Sequence, residues 1–411
     1  MGFAKKSDNN FKARLVVRGF QQKDIFDEVY SPVAKMQSLK LLLAYCCQFG
    51  LEIDQMDVET AFLNGMINGE VYVNEPKGFE IDSQKVLKLN KALYGLKTSP
   101  RSWYDCLDDF LSSLNFVKCD FDNCLYVMIG QGGDKVYLII FVDDLLICSK
   151  NKKLIKFVKG KLKKRFKMKD LGKIEKYLGI DVEYEPHENV MTLSQTSYIE
   201  SLAHKYGIVN DNLYQSPMET NLKLMPAQEH DPDIPYRNLI GALLYISSST
   251  RPDISFSVNY LSRFTNYCNK THYKYALRVL KYLLLTKNLK LIFVKNGNAE
   301  ILDCYTDADW AGDITDRKST SGFLIRFLGN CIFWKSKKQN CVTKSSTFAE
   351  YIALSEAVSE LLFVLELVKF FGIQINDRVK IFEDNSAAVI IAKCGNLTKN
   401  SKHIEVHHNF H

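Results

Sequence analysis

The chain has 411 residues, 46% of them hydrophobic, and this length predicts two to three domains with sizeable cores. Its formal net charge of +7, from 54 Lys and Arg residues against 47 Asp and Glu residues, suits a polyanionic partner without requiring one. No apolar run reaches the length of about 18 residues that a membrane span needs, and the polar N-terminus lacks the hydrophobic stretch of a signal peptide. We therefore expect no membrane partner. The 11 cysteines contain no C-x-x-C spacing, which disfavours a zinc ribbon and favours a reduced, intracellular chain.

The predicted elements begin with a basic strand, a short apolar helix and a second strand. Residues 11–20 predict the first strand, which ends at Gly19, and residues 38–49 predict the helix. Residues 51–57 alternate between apolar and polar side chains, as a half-buried strand does, and Asp57 stands at the end of this run. A carboxylate at the end of a strand can converge with carboxylates of a hairpin on one face of a sheet.

A second helix and a hairpin follow. Ser99 is predicted to cap the helix, with Pro100 at its first position. Residues 137–148 place Asp143 and Asp144 between two apolar runs, which predicts a tight β-hairpin. Ionised carboxylates are costly to bury beside so much apolar surface unless a partner neutralises them, and a divalent cation is such a partner. An ordinary Asp-Asp turn is the alternative, because aspartate is a frequent turn residue.

The hairpin is followed by a strongly basic helix. Residues 150–169 contain 11 basic residues and no acidic one, and their apolar side chains recur at the spacing of a helix with one buried stripe. The predicted members of this stripe are Leu154, Ile155, Phe157, Val158, Leu162 and Phe166. The outer face predicts a surface for phosphate groups, and a solvated charged face is the alternative.

The rest of the chain predicts a linker, a helical segment and a mixed region. Residues 186–235 contain five prolines and predict a linker or a small subdomain, and residues 236–296 predict helices. From about residue 300 onward the pattern predicts several strands, then a long helix over 347–371, one more strand over 379–382 and a last helix.

Four acidic residues of this last region come from four separate predicted segments. They are Asp307, Glu350, Asp384 and Glu405. Carboxylates gathered from separate elements are suited to a dinuclear metal site. Simpler explanations exist for two of them, because Glu350 with Thr347 fits a helix capping box and Asp384 fits an N-cap.

Several motifs together resemble a known family of mobile elements. The polymerase-like segments are QMDVETAFLNG at 55–65, YGLKTSPRSW at 94–103 and FVDD at 141–144, and they look like the reverse transcriptase blocks of Copia-type LTR retrotransposons. Two further segments, KARLV at 12–16 and YSPVAK at 30–35, are similar to the fingers blocks of that family. The segments around the four C-terminal acidic residues resemble the ribonuclease H domain that follows reverse transcriptase in the same family.

The resemblance implies an α+β or α/β multidomain fold, in which a right-hand polymerase with fingers, palm and thumb is followed by a connection and a ribonuclease H-like domain. The implied segments are 1–185 for N-terminally incomplete fingers and palm, 186–235 for a thumb-like subdomain or linker, 236–296 for the helical connection and 297–411 for the ribonuclease H-like domain. We expect the chain to be the C-terminal part of a Pol polyprotein.

The resemblance also implies two sets of catalytic residues, each with Mg²⁺ as its metal and Mn²⁺ as a substitute. The polymerase metal ligands would be Asp57, Asp143 and Asp144. The ribonuclease H metal ligands would be Asp307, Glu350, Asp384 and Glu405, with His403 as the proton shuttle.

Substrate-binding residues are implied in the same way. Arg14 matches the position that contacts the incoming triphosphate, and Phe62 matches the ring that excludes a ribose 2′-OH. Gly95 and Lys97 fall in the block that packs on template and nucleotide. The segment Tyr177-Leu178-Gly179 matches the primer-holding turn. An ordinary core role remains the alternative for Phe62, and a hairpin-filling role remains the alternative for Tyr177 and Leu178.

The implied function is RNA-directed DNA synthesis combined with ribonuclease H cleavage. Its partners would be an RNA template, a DNA primer, an RNA–DNA hybrid and dNTPs. Its location would be the cytoplasm, in particles if the parent element is active. The tail at 406–411 departs from the family pattern. A catalytically inactive relic that only binds nucleic acid is the main alternative: the short N-terminal segment favours it, and the presence of all seven carboxylates disfavours it. A DNA-templated polymerase is a weaker alternative, because the ribonuclease H-like segments disfavour it.

Overall fold

A computed structural model describes residues 2–5, 11–22, 29–67, 69–76, 78, 86–209, 212–229, 231–375 and 378–394. Contacts divide the chain into two compact units. The first unit comprises Met1–Lys35 and Leu51–Ile174, and the second comprises Met36–Gly50 and Glu175–His411. This division into two units does not test the four segments that the family resemblance implies, and those segments remain predictions.

The helices and strands are numbered in chain order. The helices are α1 Met36–Phe49, α2 Ser99–Ser113, α3 Lys152–Arg165, α4 Thr196–Lys205, α5 Tyr236–Ser249, α6 Ser255–Ser262, α7 Lys270–Leu285, α8 Ser346–Phe370 and α9 Ser386–Cys394. The first strands are β1 Gly2–Lys5, β2 Phe11–Arg14, β3 Glu52–Val58, β4 Tyr72–Val73, β5 Leu87–Lys88, β6 Val117–Lys118, β7 Leu125–Ile129, β8 Lys135–Phe141 and β9 Asp144–Ser149. The remaining strands are β10 Met168–Lys173, β11 Lys176–Tyr177, β12 Ile180–Glu185, β13 Val190–Ser194, β14 Leu291–Val294, β15 Leu302–Asp309, β16 Thr320–Phe327, β17 Asn330–Lys338 and β18 Lys380–Phe382.

The first unit is built on an antiparallel sheet with the strand order β10-β3-β9-β8-β7-β6. Helices α2 and α3 contribute to a single apolar cluster with this sheet. Trp103 and Leu107 enter the cluster from α2, and Val158 and Leu162 enter it from α3. The predicted hairpin is present as β8 and β9, with Asp143 in the turn between the strands and Asp144 as the first residue of β9.

Three local predictions for the first unit are wrong. The strand predicted over residues 11–20 ends at Arg14, and Gly19–Gln21 forms a 3-10 turn. Ser99 does not cap α2: it is the first residue of the helix, and Thr98 occupies the N-cap position. The hydroxyl of Ser99 donates to the carbonyl of Leu93 at 2.6 Å and not to the helix. Phe157 is exposed, since it lies on the side of α3 away from the buried stripe, whereas Phe166 is buried just beyond the end of the helix.

The second unit contains two four-stranded sheets and a group of helices. One sheet has the order β11-β12-β13-β14, and the other has the order β17-β16-β15-β18, with β18 parallel to β15. Helices α4 to α7 share an apolar cluster, and α8 packs on β15 and β16. The predicted long helix is confirmed as α8, and the segment predicted as helical over 236–296 also contains a strand, β14.

Within the residues that the structure describes, no helix combines the length and apolarity needed to cross a membrane.

A buried lysine anchors α1 within the second unit. Lys40 is 2% exposed, and its ammonium group lies 3.4 Å from the centroid of the Trp334 ring on β17. The same Nζ donates a hydrogen bond to the carbonyl of Ser248 at 2.7 Å. Burial lowers the pKa of Lys40 to about 7, against the smaller raising effect of Cys331. The aromatic ring and the carbonyl stabilise the charged ammonium, but they do not fully offset the loss of its hydration. Burying the charged form therefore lowers the stability of the folded chain.

Replacing Lys40 with Met should stabilise the chain at neutral pH and lose this advantage in alkali. Between about pH 7 and the ordinary lysine pKa of about 10.4, the unfolded chain binds the extra proton, so wild-type stability should rise with pH across this window. We expect Lys40→Met to be about 1–4 kcal/mol more stable than wild type near pH 6.5 and close to equal near pH 10.5. Urea unfolding at the two pH values measures this difference, and parallel pH curves for the two proteins would contradict it.

Candidate active sites

The first candidate site lies where β3 and β9 run side by side. These strands are antiparallel, and Asp57 is directly opposite Asp144 in their register. The amide of Val58 donates to the carbonyl of Asp143 at 2.8 Å, which ties the hairpin turn to the end of β3. The pairing therefore brings together the three carboxylates that the family resemblance assigned to the polymerase metal.

A strained turn holds Asp143 at this position. Val142 has a φ of +60°, a left-handed conformation that is unusual for a β-branched residue. The indole Nε1 of Trp103 on α2 donates to the carbonyl of Val142 at 2.7 Å. Because Trp103 is buried in the core, this hydrogen bond fixes the turn against α2. In the sequence, Trp103 stood out only as the last residue of the family-like segment over 94–103, and nothing there indicated this contact.

The electrostatics of the first site follow from burial and from the neighbouring acids. Burial, together with the smaller effects of the charges of Asp143 and Asp57, raises the pKa of Asp144 to about 6, while a hydrogen bond with Gln55 opposes the rise. Like charges held this close favour either a proton or a cation between them. A divalent metal with oxygen ligands fits that requirement.

The predicted nucleotide-binding residues lie on three different segments. Phe62 is half-buried in a 3-10 turn over Ala61–Asn64, and its ring tilts against that of Tyr94 at a centroid distance of 5.4 Å. Lys97 is exposed, and its Nζ donates to the carbonyl of Gln22 at 2.9 Å. The backbone of Arg14 lies in β2, and its side chain is outside the described atoms.

The predicted primer-holding turn belongs to the second unit. Leu178 and Gly179 have φ angles of +50° and +75° and connect β11 to β12. Both φ angles are positive, as in the type I′ turns that suit two-residue hairpins. The hydroxyl of Tyr245 donates to the carbonyl of Leu178, and Tyr177 is 2% exposed. The side chain of Tyr177 is therefore buried within the second unit.

The second candidate site joins β15, α8 and the end of β18. Asp307, Glu350 and Asp384 offer carboxylate oxygens that all lie within 4.8 Å of one another. Among the described residues, no other acidic or metal-ligating trio is this close, so Asp57, Asp143 and Asp144 are more widely spread. Asp307 and Asp384 are exposed, whereas Glu350 is 6% exposed.

Both capping explanations for the second site are wrong. The hydroxyl of Ser345 accepts from the amide of Phe348 and caps α8, so Glu350 is not needed there. The side chain of Asn385 accepts from the amide of Ala388 at 3.0 Å and caps α9 in place of Asp384. Both acidic side chains are thereby left for another role.

Glu383 adds a further acidic group beside the second site. Burial, together with the smaller effects of the charges of Glu383, Asp307 and Asp384, raises the pKa of Glu350 to about 8, while a hydrogen bond with the backbone of Ala308 opposes the rise. Burial also raises the pKa of Glu383. In the described part of the chain, Glu350 Oε2 and Glu383 Oε2 are buried and lack a hydrogen-bond partner.

These orphaned oxygens in an all-carboxylate setting fit a divalent cation. The sequence analysis did not select Glu383, although two adjacent acids after a strand were a usable signal. Two residues assigned to this site by the family resemblance, Glu405 and His403, lie outside the described residues.

The basic helix α3 is less positive than its sequence suggests. Lys152 pairs with Glu52 at 2.9 Å, and Lys167 pairs with Glu59 at 2.7 Å. Lys159 is paired with two acids, Asp54 on β3 and Asp170 on β10, and only 12% of its side chain is exposed. Lys163 also pairs with Asp170 at 2.8 Å. Acids from outside α3 therefore neutralise part of this basic segment, and other lysines such as Lys156 and Lys164 remain exposed on the helix.

Comparisons with known proteins place the chain among mobile-element sequences. Residues 3–220 match the family described as Reverse transcriptase (RNA-dependent DNA polymerase). The chain is 38% identical over 412 residues to the "Retrovirus-related Pol polyprotein from transposon TNT 1-94" of Nicotiana tabacum, covering 97% of this chain and 31% of that protein. It is 36% identical over 411 residues to the corresponding polyprotein from transposon RE1 of Arabidopsis thaliana, covering 98% of this chain and 28% of that protein.

A yeast protein is matched over its whole length. The chain is 35% identical over 311 residues to the "Putative transposon Ty5-1 protein YCL074W" of Saccharomyces cerevisiae, covering 74% of this chain and 100% of that protein. By contrast, the chain spans less than a third of the length of the two plant polyproteins.

Replacing Glu350 with Gln should stabilise the metal-free chain at high pH. Between the ordinary glutamate pKa of about 4.3 and the raised value of about 8, the folded state binds the extra proton, so wild-type stability should fall as pH rises. We expect Glu350→Gln to unfold about 2–4 °C higher than wild type at pH 9 in EDTA, with little difference at pH 5.

Thermal unfolding followed by circular dichroism measures this gap, and added Mg²⁺ should close it by stabilising wild type. Glu366→Gln on the same helix is the control, because Glu366 pairs with Lys369 and lies outside the cluster. An equal gain in both variants, or a gap that is independent of pH, would contradict the account of the cluster.

Proposed function

Because this chain belongs to the reverse transcriptase family of retrotransposon Pol polyproteins, we propose that it is an RNA-directed DNA polymerase that also carries a ribonuclease H site. The observation that carries the polymerase assignment is the register pairing of Asp57 with Asp144 beside the Asp143 turn. In this proposal the first 185 residues form fingers and palm, 186–235 the thumb-like part, 236–296 the connection and 297–411 the ribonuclease H-like domain.

The polymerase reaction would use Asp57, Asp143 and Asp144 as ligands for Mg²⁺, with Mn²⁺ as a substitute. When bound, the cation supplies positive charge that activates the attacking hydroxyl and stabilises the leaving oxygen. The 3′-OH of a primer attacks the α-phosphate of a dNTP, and pyrophosphate leaves. The strained Val142 turn and its bond to Trp103 keep the Asp143 carboxylate in position without a rearrangement at each turnover.

Selection of the nucleotide would fall to residues around Phe62. A ring at this position clashes with a ribose 2′-OH and so favours a dNTP, and its contact with Tyr94 limits its movement. Arg14 would meet the triphosphate, while Gly95 and Lys97 would support the template and nucleotide. The Leu178-Gly179 turn after Tyr177 would hold the primer strand.

Ribonuclease H cleavage would use Asp307, Glu350, Asp384 and Glu405 as ligands and His403 as the proton shuttle. The support for this part is the close set of Asp307, Glu350 and Asp384 and the orphaned oxygen of Glu350. The substrate would be the RNA strand of an RNA–DNA hybrid, recognised mainly through its backbone and A-like shape. The reaction would take place in the cytoplasm, in particles if the parent element is active.

Separate variants of the two carboxylate sites should separate the two activities. Asp143→Asn should lower dNTP incorporation on a poly(rA)·oligo(dT) substrate by about 100-fold or more and leave hybrid cleavage within about 3-fold of wild type. Asp307→Asn should show the reverse pattern, because the two residues belong to different carboxylate groups. Loss of both activities in either folded variant would contradict the two-site proposal, and inactivity of the wild type in both assays would favour a relic that only binds nucleic acid.

The lysines of α3 should have two different roles: the exposed ones contact nucleic acid, and the ion-paired ones stabilise the fold. The double variant Lys156→Glu and Lys164→Glu should weaken template–primer binding and reduce the log–log salt slope by about 0.9 for each lost phosphate contact. Lys159→Met should instead lower the unfolding midpoint and leave the slope unchanged, since its ammonium is buried against Asp54 and Asp170. Fluorescence anisotropy over a salt series gives the slopes, and an unchanged slope in the double variant would identify α3 as a solvated face.

A further inference from the structure

Two glycines that are distant in the sequence of the first unit lie at a point where two backbone segments pass too close together for a side chain. A Cβ atom added to Gly19 would lie 2.0 Å from the carbonyl oxygen of Gly95, and a Cβ added to Gly95 would lie 2.1 Å from the carbonyl oxygen of Val17. Both distances are far below any normal contact between a carbon and an oxygen atom. Gly95 also has a φ of +99°, which favours glycine by itself. The backbone of residues 15–22 therefore crosses the backbone at Gly95 at the closest possible approach, and we call this feature the glycine crossing.

Hydrogen bonds on both sides hold the glycine crossing together. The amide of Val17 donates to the carbonyl of Tyr94 at 2.9 Å. The Nζ of Lys97 donates to the carbonyl of Gln22 at 2.9 Å. Gly19 is buried between these two bonds. A side chain at either glycine would separate the two backbones and strain both bonds.

The glycine crossing connects the candidate nucleotide-binding residues to the carboxylates. On one side, Val17 stands three residues after Arg14 at the end of β2. On the other side, Tyr94 contacts the ring of Phe62, and Gly95 leads into α2, whose Trp103 holds the Val142 turn. The contact between the backbones at Gly19 and Gly95 therefore fixes the position of residues 15–22 relative to Phe62 and to the β8–β9 hairpin.

We infer that Gly19 is a positioning residue for the incoming nucleotide, and that Gly95 and Lys97 act by holding the segment over 15–22 in place. This inference rests on the proposed polymerase function. Because the space beside Gly95 is filled by the carbonyl of Val17, the need for glycine there comes from the chain itself and not from a base or a phosphate. Shifting the segment would displace the end of β2 from Phe62 and weaken nucleotide binding before it affects the chemical step.

The test is Gly19→Ala in the full chain. We expect the dNTP dissociation constant, measured in a ternary complex on a chain-terminated primer with Mg²⁺, to rise about 10- to 100-fold. The KM for dNTP should rise by a similar factor, with kcat within about 3-fold of wild type. Gly132→Ala, in the loop between β7 and β8, is the matched control, because a Cβ there meets nothing within 4 Å, and its dNTP affinity should equal that of wild type. A purely structural role would lower kcat and the unfolding midpoint without changing dNTP affinity.

A second variant covers the case in which Gly19→Ala does not fold. Val17→Pro removes the amide that donates to Tyr94 without adding bulk at the glycines, and it should raise the dNTP dissociation constant about 3- to 10-fold. Unchanged dNTP affinity in a folded Gly19→Ala protein, or in Val17→Pro if the first does not fold, would overturn the inference while leaving the proposed function intact. Failure of the wild-type chain to form the ternary complex would instead overturn the proposed function, and the inference with it.

Discussion

Repulsion between gathered carboxylates is the constraint around which both candidate sites are arranged. Asp57 and Asp144 face each other across two strands, and Glu350 is buried beside three other acids. Free carboxylates would move apart or take up protons, and the raised pKa values of Asp144 and Glu350 express that tendency. The surrounding structure must therefore hold these groups together by other contacts.

Those holding contacts are different in the two sites. In the first, the register of β3 and β9 sets the spacing, and the bond from Trp103 to Val142 secures the turn. In the second, α8 packs on β15 and presents Glu350 from a buried position, while Ser345 and Asn385 cap the helices. The first site is the wider of the two, since only the second has three described acids with oxygens within 4.8 Å. A cation bound at the first site would therefore have to bring the carboxylate oxygens closer together than one bound at the second site.

Local patterns predicted much of the fold, and the family resemblance selected most of the site residues. The resemblance to the reverse transcriptase portion of Copia-type Pol polyproteins is confirmed by the family match and by the relatives from transposons. Alternation was enough to predict β3, and two short apolar runs were enough to predict the hairpin, whose strands the structure buries on both faces. The long apolar segment that ends before Gly372 predicted α8.

Features that depend on distant partners could not be predicted from local patterns. The ion pair between Lys159 and Asp54 joins α3 to β3 across 105 positions of the sequence. The glycine crossing depends on two glycines that are 76 positions apart, and neither one reveals the other. The cap prediction at Ser99 was wrong for a related reason, since its hydroxyl bonds to Leu93 in the preceding turn.

Diffraction from crystals soaked in Mn²⁺ would test most directly whether the chain carries two separate metal-binding carboxylate groups. We predict anomalous difference peaks among Asp57, Asp143 and Asp144 and, separately, among Asp307, Glu350 and Asp384. Oxygen atoms should surround each peak at the distances of directly bound ligands. Peaks at the second group alone would remove the physical basis of the proposed polymerase site, and the absence of peaks from both groups at saturating Mn²⁺ would contradict the account as a whole.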